Sequence, residues 1–82
     1  MYEHLALSDS GFLFDTRTGN TYTLSKTGTF LLRTLIAGGT WQELPTQLAA
    51  TYEVDDETAR RDVEQFSFRL KDLGLVAPEV GS

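Results

Sequence analysis

The chain has no cysteine and a single histidine, His4, among its 82 residues. A disulfide framework and a thiolate metal site are therefore excluded, and one imidazole cannot build a histidine-based metal centre. No apolar run approaches the roughly 20 residues of a membrane-spanning helix. The first four residues also lack the basic and apolar regions of a secretory signal. We expect a soluble protein of the cytoplasm that has no cofactor and no membrane partner.

Basic residues are scarce as well. Seven Lys and Arg stand against twelve Asp and Glu, which gives a formal net charge of −5. This balance argues against the phosphate backbone of a nucleic acid as the main ligand. A chain of this length can form one modest hydrophobic core and is too short to form a deep enzyme cleft as well. We expect one domain over residues 1–76, a flexible tail over residues 77–82, and no enzymatic activity.

The most informative segment spans residues 11–24. Two runs rich in aromatic and β-branched residues, 11–15 and 21–24, flank a Thr/Gly/Asn loop, which is typical of a β-hairpin with a longer turn. The apolar residues 4–7 predict a strand before it, so that three strands form an antiparallel meander. The last strand of a meander has one neighbour and one open edge, which can accept an added peptide strand.

Side chains alternate between the two faces of a strand. We assign the larger apolar groups to the core side, namely Phe12, Phe14, Tyr22 and Leu24. Leu13, Thr21 and Thr23 then face away from the core.

Three helices are predicted after the sheet. Ser25 is a good N-cap for the first, which ends at Gly38 and Gly39. Thr40 and Glu43 form a capping box for the second, in which Pro45 predicts a 3₁₀-like start. The third runs from about residue 56 to residue 73, with an apolar stripe at helical spacing: Ala59, Val63, Phe66, Leu70 and Leu73. Leu75 and Val76 read as a short extended return.

This order defines an α+β fold, winged-helix-like, with a three-stranded antiparallel N-terminal sheet followed by three helices. Winged helices often bind DNA through the third helix. Residues 55–73, however, carry four basic and six acidic side chains, whereas a major-groove helix presents a basic surface. A DNA-binding or regulatory adaptor protein is therefore the alternative rather than the main hypothesis.

Two side chains of the third helix, Phe68 and Asp62, have notable positions relative to its apolar stripe. Phe68 lies about 160° from Phe66 around the helix axis, on the side opposite the core stripe. It is either an ordinary exposed aromatic or an anchor for a partner. Asp62 lies about 40° from the centre of the stripe, which predicts a half-buried, hydrogen-bonded carboxylate that braces the sheet or a loop.

The order of several short motifs resembles that of the PqqD-like peptide chaperones. In the first half it is Leu7-Ser8-Asp9-Ser10-Gly11-Phe12-Leu13-Phe14-Asp15, then Thr18-Gly19, Tyr22-Thr23-Leu24 and Thr27-Gly28. In the second half it is Leu48-Ala49, Tyr52-Glu53-Val54-Asp55, Asp62-Val63, Phe66, Leu70 and Gly74-Leu75. The likeness covers nearly the whole chain. Ser25 stands where the family commonly has asparagine, and Pro45 departs from the usual helical pattern.

The resemblance implies a RiPP recognition element, a module for making ribosomally synthesised, modified peptides. Such modules bind the leader of a precursor peptide as an extra antiparallel strand on the third strand, in a groove against the third helix. They present it to a modifying enzyme, often a radical SAM enzyme. The chain is similar in particular to members found beside HPr-kinase-like proteins.

Carried onto this sequence, the resemblance and the open edge predict one peptide-binding site. The predicted strand contributes Thr21, Tyr22, Thr23 and Leu24, whose backbone groups would bond to the peptide. The side chains that would select the peptide are Leu13, Arg61, Gln65, Phe68 and Arg69. We expect no nucleic-acid partner. The same edge permits a strand-exchanged dimer as well as a monomer.

Overall fold

The computed structural model describes residues 2–75. Strands β1 (Leu5–Leu7), β2 (Phe12–Asp15) and β3 (Thr21–Thr23) form an antiparallel sheet in the order β1-β2-β3. Helix α1 (Lys26–Ile36), a 3₁₀ turn (Trp41–Glu43), α2 (Leu44–Tyr52) and α3 (Asp56–Asp72) follow. The predicted α+β fold with three strands and then three helices is confirmed. Val76 and the predicted tail over residues 77–82 lie outside the described residues.

The faces of β2 are the reverse of those predicted. Leu13 is 0% exposed, whereas Phe12 and Phe14 are 60% and 40% exposed. The register pairs Leu13 with Tyr22, and Phe12 with Thr23. Directly opposite residues share a face, so that the half-buried Tyr22 lies on the core side with Leu13. The two phenylalanines therefore lie with Thr21 and Thr23 on the outer face. The faces predicted for the β3 residues are right, and those predicted for Phe12, Leu13 and Phe14 are wrong.

The core face of β2 also holds a carboxylate, Asp15, which is almost fully buried. Its Oδ1 accepts a hydrogen bond from the backbone N–H of Arg17 at 2.9 Å and lies 3.5 Å from the guanidinium Nε of the same residue. Burial alone raises the pKa of Asp15, but these two interactions with Arg17 outweigh it and bring the pKa below its usual value. The carboxylate is thus a structural part of the β2–β3 turn.

The turn is tied to the end of α3 by the same arginine. Arg17 Nη2 donates a hydrogen bond to the backbone carbonyl of Gly74 at 3.3 Å. The residue next to Gly74, Leu75, is buried in the core. The C-terminal end of α3 is therefore held beside the start of β3.

The helix boundaries follow local capping. Ser25 Oγ accepts a hydrogen bond from the backbone N–H of Gly28, as expected of an N-cap. Thr40 and Glu43 form the predicted capping box. As predicted, a 3₁₀ turn precedes α2; Pro45 itself lies in the first turn of α2. Proline is tolerated there because the missing N–H has no intrahelical acceptor.

Apolar side chains from the sheet and all three helices meet in one core. Helix α1 contributes Leu31, Leu32 and Leu35. Two aromatic contacts extend this core at its margin: Phe30 packs edge-on against Tyr52 at 5.6 Å between ring centroids, and Trp41 packs against Phe66 at 5.8 Å. The other buried members are Leu5, Leu13, Leu24, Leu44, Leu48, Ala59, Val63, Phe66, Leu70 and Leu75.

Candidate functional site

Strand β3 has an open edge. Among residues 2–75, β3 pairs with β2 alone. Leu24 N–H donates to the carbonyl of Gly11, and Asp15 N–H donates to the carbonyl of Asn20. Hydrogen-bonded and non-hydrogen-bonded pairs alternate along an antiparallel ladder. The pair between these two, Leu13 with Tyr22, is therefore hydrogen-bonded.

This alternation fixes which backbone groups face outward. Tyr22 directs its N–H and C=O towards β2. Thr21 and Thr23 belong to the non-hydrogen-bonded pairs with β2, so that their N–H and C=O groups point to the open edge. Two donors and two acceptors are thus arranged to bond an added strand.

A groove of about 300 Å³ lies next to the end of β3. The strand end and the first turn of α1 line one side of it, and one face of α3 lines the other. The lining residues are Thr23, Leu24, Ser25, Thr27, Gly28, Leu31, Asp62, Gln65, Phe66 and Arg69.

Gly28 keeps the floor of the groove open. A Cβ atom at this position would lie 3.3 Å from Ser25 Oγ and 3.8 Å from Phe66 Cδ1. Any larger side chain would therefore occupy space between α1 and α3. The glycine allows the first turn of α1 to approach the Phe66 ring closely.

Helix α3 runs in the direction opposite to β3. Its C-terminal end contacts the turn before β3, through Arg17 and Gly74. Its middle lies at the first turn of α1, where Phe66 faces Gly28. Arg69 is therefore on the side of the groove towards the start of β3, and Asp62 is on the side towards α1.

The structure brings together four of the predicted site residues. Thr23, Leu24, Gln65 and Arg69 all line the groove. Thr21 and Tyr22 continue the same strand away from it.

The other three predicted side chains lie elsewhere. Leu13 is in the core, because it occupies the inner face of β2. Arg61 is exposed and is outside the groove lining. Phe68 is 53% exposed, and its ring lies 4.9 Å from Lys71 Nζ, which is a cation–π distance.

Asp62 was placed correctly as half-buried but was assigned the wrong environment. Among residues 2–75 its carboxylate has no hydrogen-bond partner, and it lines the groove instead of bracing the sheet or a loop. A helical wheel contains the missed signal, since residues 62, 65 and 69 are spaced i, i+3, i+7 and share one face of α3. No local pattern marks the contribution of Ser25 and Thr27.

Outside the groove, the described chain has another cavity of similar size and no site suited to a metal ion. A second cavity, of about 380 Å³, lies between Tyr2, Glu3 and the end of α1. Residues 2–75 contain no group of three side chains suited to hold a metal ion. Within the same span, no helix has the length and apolar character needed to cross a bilayer.

The fold and the groove define a class of protein, a small winged-helix-like α+β domain with an open strand edge beside a helix. The family model of coenzyme PQQ synthesis protein D, PqqD, matches residues 11–76. The chain belongs to the PqqD family. A search of curated proteins finds no significant match.

Two solved structures resemble the chain along most of its length. One is described as lasso peptide synthetase B1 complexed with the leader peptide; it has a TM-score of 0.73 and 29% identity, over 90% of this chain and 88% of that chain. The other is described as TbiB1 in complex with the TbiA(beta) leader peptide; it has a TM-score of 0.79 and 26% identity, over 93% of this chain and 90% of that chain. Both relatives were thus solved with a leader peptide bound.

Proposed function

We propose that the protein captures the leader of a ribosomally made precursor peptide by strand addition to β3 and presents it to a modifying enzyme. The observation that carries the proposal is the open edge of β3, with the outward backbone groups of Thr21 and Thr23 beside a groove. Two similar proteins, TbiB1 and a lasso peptide synthetase B1, were solved with leader peptides. The role is one of binding rather than catalysis.

The hydrogen-bond pattern between β2 and β3 determines how an added peptide strand binds to β3. Two leader residues, two positions apart, bond to the backbone of Thr23 and Thr21, and their side chains lie on the outer face of the sheet. The leader residue between them lies opposite Tyr22, on the inner face. The residue opposite Leu24 also points inward. These inward side chains enter the groove and meet Gln65 and Arg69.

Residues outside the groove extend the proposed contact surface. Phe68 lies about 60° from Gln65 around the axis of α3, on the solvent side. With Arg61 it is available to leader residues that pass beyond the groove rim. Leu13 contributes only indirectly, because it is the buried cross-strand neighbour of Tyr22.

The class of the modifying enzyme is inferred from the similar proteins. A radical SAM enzyme is the partner implied by the resemblance to PqqD-like chaperones, and the lasso synthetase relatives favour the enzymes of lasso peptide synthesis. We also propose that the protein belongs to the subfamily found beside HPr-kinase-like proteins and that it acts in the cytoplasm.

Peptide selection followed by NMR tests the proposal. A displayed library of random peptides is selected for binding to the protein. The peptides are about 15 residues long, which is enough for an extended strand to cover β3 and the groove. The best binder is then titrated into ¹⁵N-labelled protein. We expect the amide signals of Thr21, Thr23 and the groove face of α3 to shift. A leader peptide from a precursor gene beside this one should compete with the selected binder.

Duplex DNA provides the matched comparison. Shifts of α3 on adding DNA, with no selected peptide moving the β3 signals, would overturn the proposal in favour of a winged-helix DNA-binding protein. The acidic surface of α3 predicts no such shifts.

A further inference from the structure

Two side chains of opposite charge line the groove from one helix. Asp62 and Arg69 are seven residues apart on α3, which corresponds to about 10.5 Å along the helix axis. Within the described chain neither forms an ion pair, whereas Arg17 is paired with Asp15 and Arg33 with Asp9. The groove therefore offers one anionic and one cationic group to a ligand.

The direction of a bound strand relative to these charges follows from the fold. An added strand that is antiparallel to β3 runs parallel to α3, because β3 and α3 have opposite directions. Its N-terminal part then lies by Asp62 and its C-terminal part by Arg69. The charges are thus met in a fixed order along the peptide.

The spacing of the charges falls between two intervals at which inward side chains of a strand recur. Inward side chains recur every second residue, at about 6.8 Å, and every fourth residue, at about 13.6 Å. The 10.5 Å separation of Asp62 and Arg69 along α3 lies between these values, within reach of long side chains. A slip of one residue would turn every inward side chain to the outer face. Charge complementarity in the groove therefore selects register as well as direction.

We infer that the groove selects leader segments with a basic inward residue followed, two or four positions later, by an acidic one. Asp62 receives the basic side chain and Arg69 the acidic one. This inference rests on the proposed function and specifies its substrate class. The backbone bonds of β3 supply affinity for any extended peptide, whereas the charge order discriminates among peptides because like charges brought together are penalised.

A charge swap tests the order directly. The double variant Asp62→Lys with Arg69→Glu reverses the two charges and leaves the net charge unchanged. The matched control, Arg60→Glu with Glu64→Lys, makes the same exchange on α3 outside the groove lining. The same random displayed library is selected on the wild type and on both variants, and the charges at each position of the selected peptides are compared.

We expect the wild type and the control to enrich basic-then-acidic peptides, and the swapped variant to enrich acidic-then-basic ones. A peptide selected on the wild type should lose at least about tenfold in affinity for the swapped variant, because both of its charged contacts become repulsive. The single variant Arg69→Gln should lose the acidic preference alone, which separates charge recognition from damage to the fold.

The outcomes distinguish this inference from the proposed function. Peptides that shift the β3 amides but show no charge order, or the same order on all variants, overturn the inference and leave strand addition intact. Absence of any peptide that shifts the β3 amides overturns both.

Discussion

Leu13 and Phe12 are chain neighbours with opposite environments. Leu13 is fully buried among core side chains, and Phe12 is 60% exposed on the outer face of the sheet. Leu13→Ala should lower the free energy of unfolding by about 2–5 kcal/mol, the range for truncating a buried leucine. Phe12→Ala should lower it by less than about 1 kcal/mol, as for most surface positions. Urea unfolding of both variants measures the difference, and equal losses would contradict the face assignment.

The alternation of strand residues could be predicted from the sequence, but the choice of inner face could not. Larger apolar groups were assigned inward, which put Phe12 and Phe14 on the wrong side. The deciding contacts are the pairing of Leu13 with Tyr22 and the burial of Asp15. Asp15 is polar, and its burial depends on the nearby Arg17, which a hydrophobic pattern does not reveal.

The lowered pKa of Asp15 predicts how the stability of the protein depends on pH. A carboxylate whose pKa is lower in the folded than in the unfolded chain contributes stability above the unfolded value, about 3.9. That contribution is lost as the pH falls through the folded pKa. Asp15→Asn should therefore be less stable than the wild type at pH 7, and the difference should shrink below about pH 3.9. Chemical unfolding at neutral and acidic pH measures it; a difference independent of pH would refute the ion-pair account.

At the scale of elements, β3 carries the clearest prediction. Thr21→Pro removes an N–H that points to the open edge, and proline is tolerated at an edge or at the first residue of a strand. The variant should fold and bind a selected peptide at least about tenfold more weakly, as expected for one lost backbone hydrogen bond and a steric conflict. Thr21→Val is the control, since it retains the N–H. Isothermal titration gives the affinities, and circular dichroism verifies the fold.

The neighbouring residue, Tyr22, tests the assignment of the hydrogen-bonded pairs between β2 and β3. Tyr22→Pro removes an N–H that bonds to β2, and it should destabilise the sheet rather than act on binding alone. If Thr21→Pro unfolds the protein and Tyr22→Pro does not, the assignment of outward groups is wrong.

The helices were more predictable than the strand faces because their ends depend on local chemistry. Ser25, the capping box of Thr40 and Glu43, and Pro45 each act within one turn of chain. The groove face of α3 was harder to identify, since Gln65 and Arg69 were selected for the site but Asp62 was expected to brace the sheet or a loop. Which side of a helix faces a groove depends on the packing of α1 and β3, and these are distant in sequence.

For the whole molecule, the order of motifs along the chain predicted membership of the PqqD family, and the family match over residues 11–76 confirms it. The site depends on long-range contacts. Arg17 bridges to Gly74 across 57 residues, and Gly28 faces Phe66. These contacts set α3 antiparallel to β3 and thereby form the groove. Motif order identified the family, but only the three-dimensional arrangement places Asp62 and Arg69 at opposite ends of one groove.

Binding at the β3 edge should stabilise the whole domain. A peptide that binds only the folded state at a hundredfold excess over its Kd adds about 2.7 kcal/mol to the free energy of unfolding. For a domain of this size each kcal/mol raises Tm by about 4–8 °C, so that the total increase should exceed about 10 °C. Thermal unfolding with and without a selected peptide measures it. Thr21→Pro at the same peptide concentration should show about half of this increase or less, because its open edge has lost a donor and it binds at least about tenfold more weakly.

The same measurement tests whether a second copy occupies the edge of β3. A monomer has a Tm that is independent of protein concentration, whereas a strand-exchanged dimer becomes more stable as the concentration rises. Because a bound leader and a second copy would use the outward groups of the same two threonines, saturating peptide should abolish any such concentration dependence. A concentration dependence that persists with peptide bound would place the dimer contact on another surface, for which the exposed Phe12 and Phe14 on the outer face of the sheet are the first residues to replace.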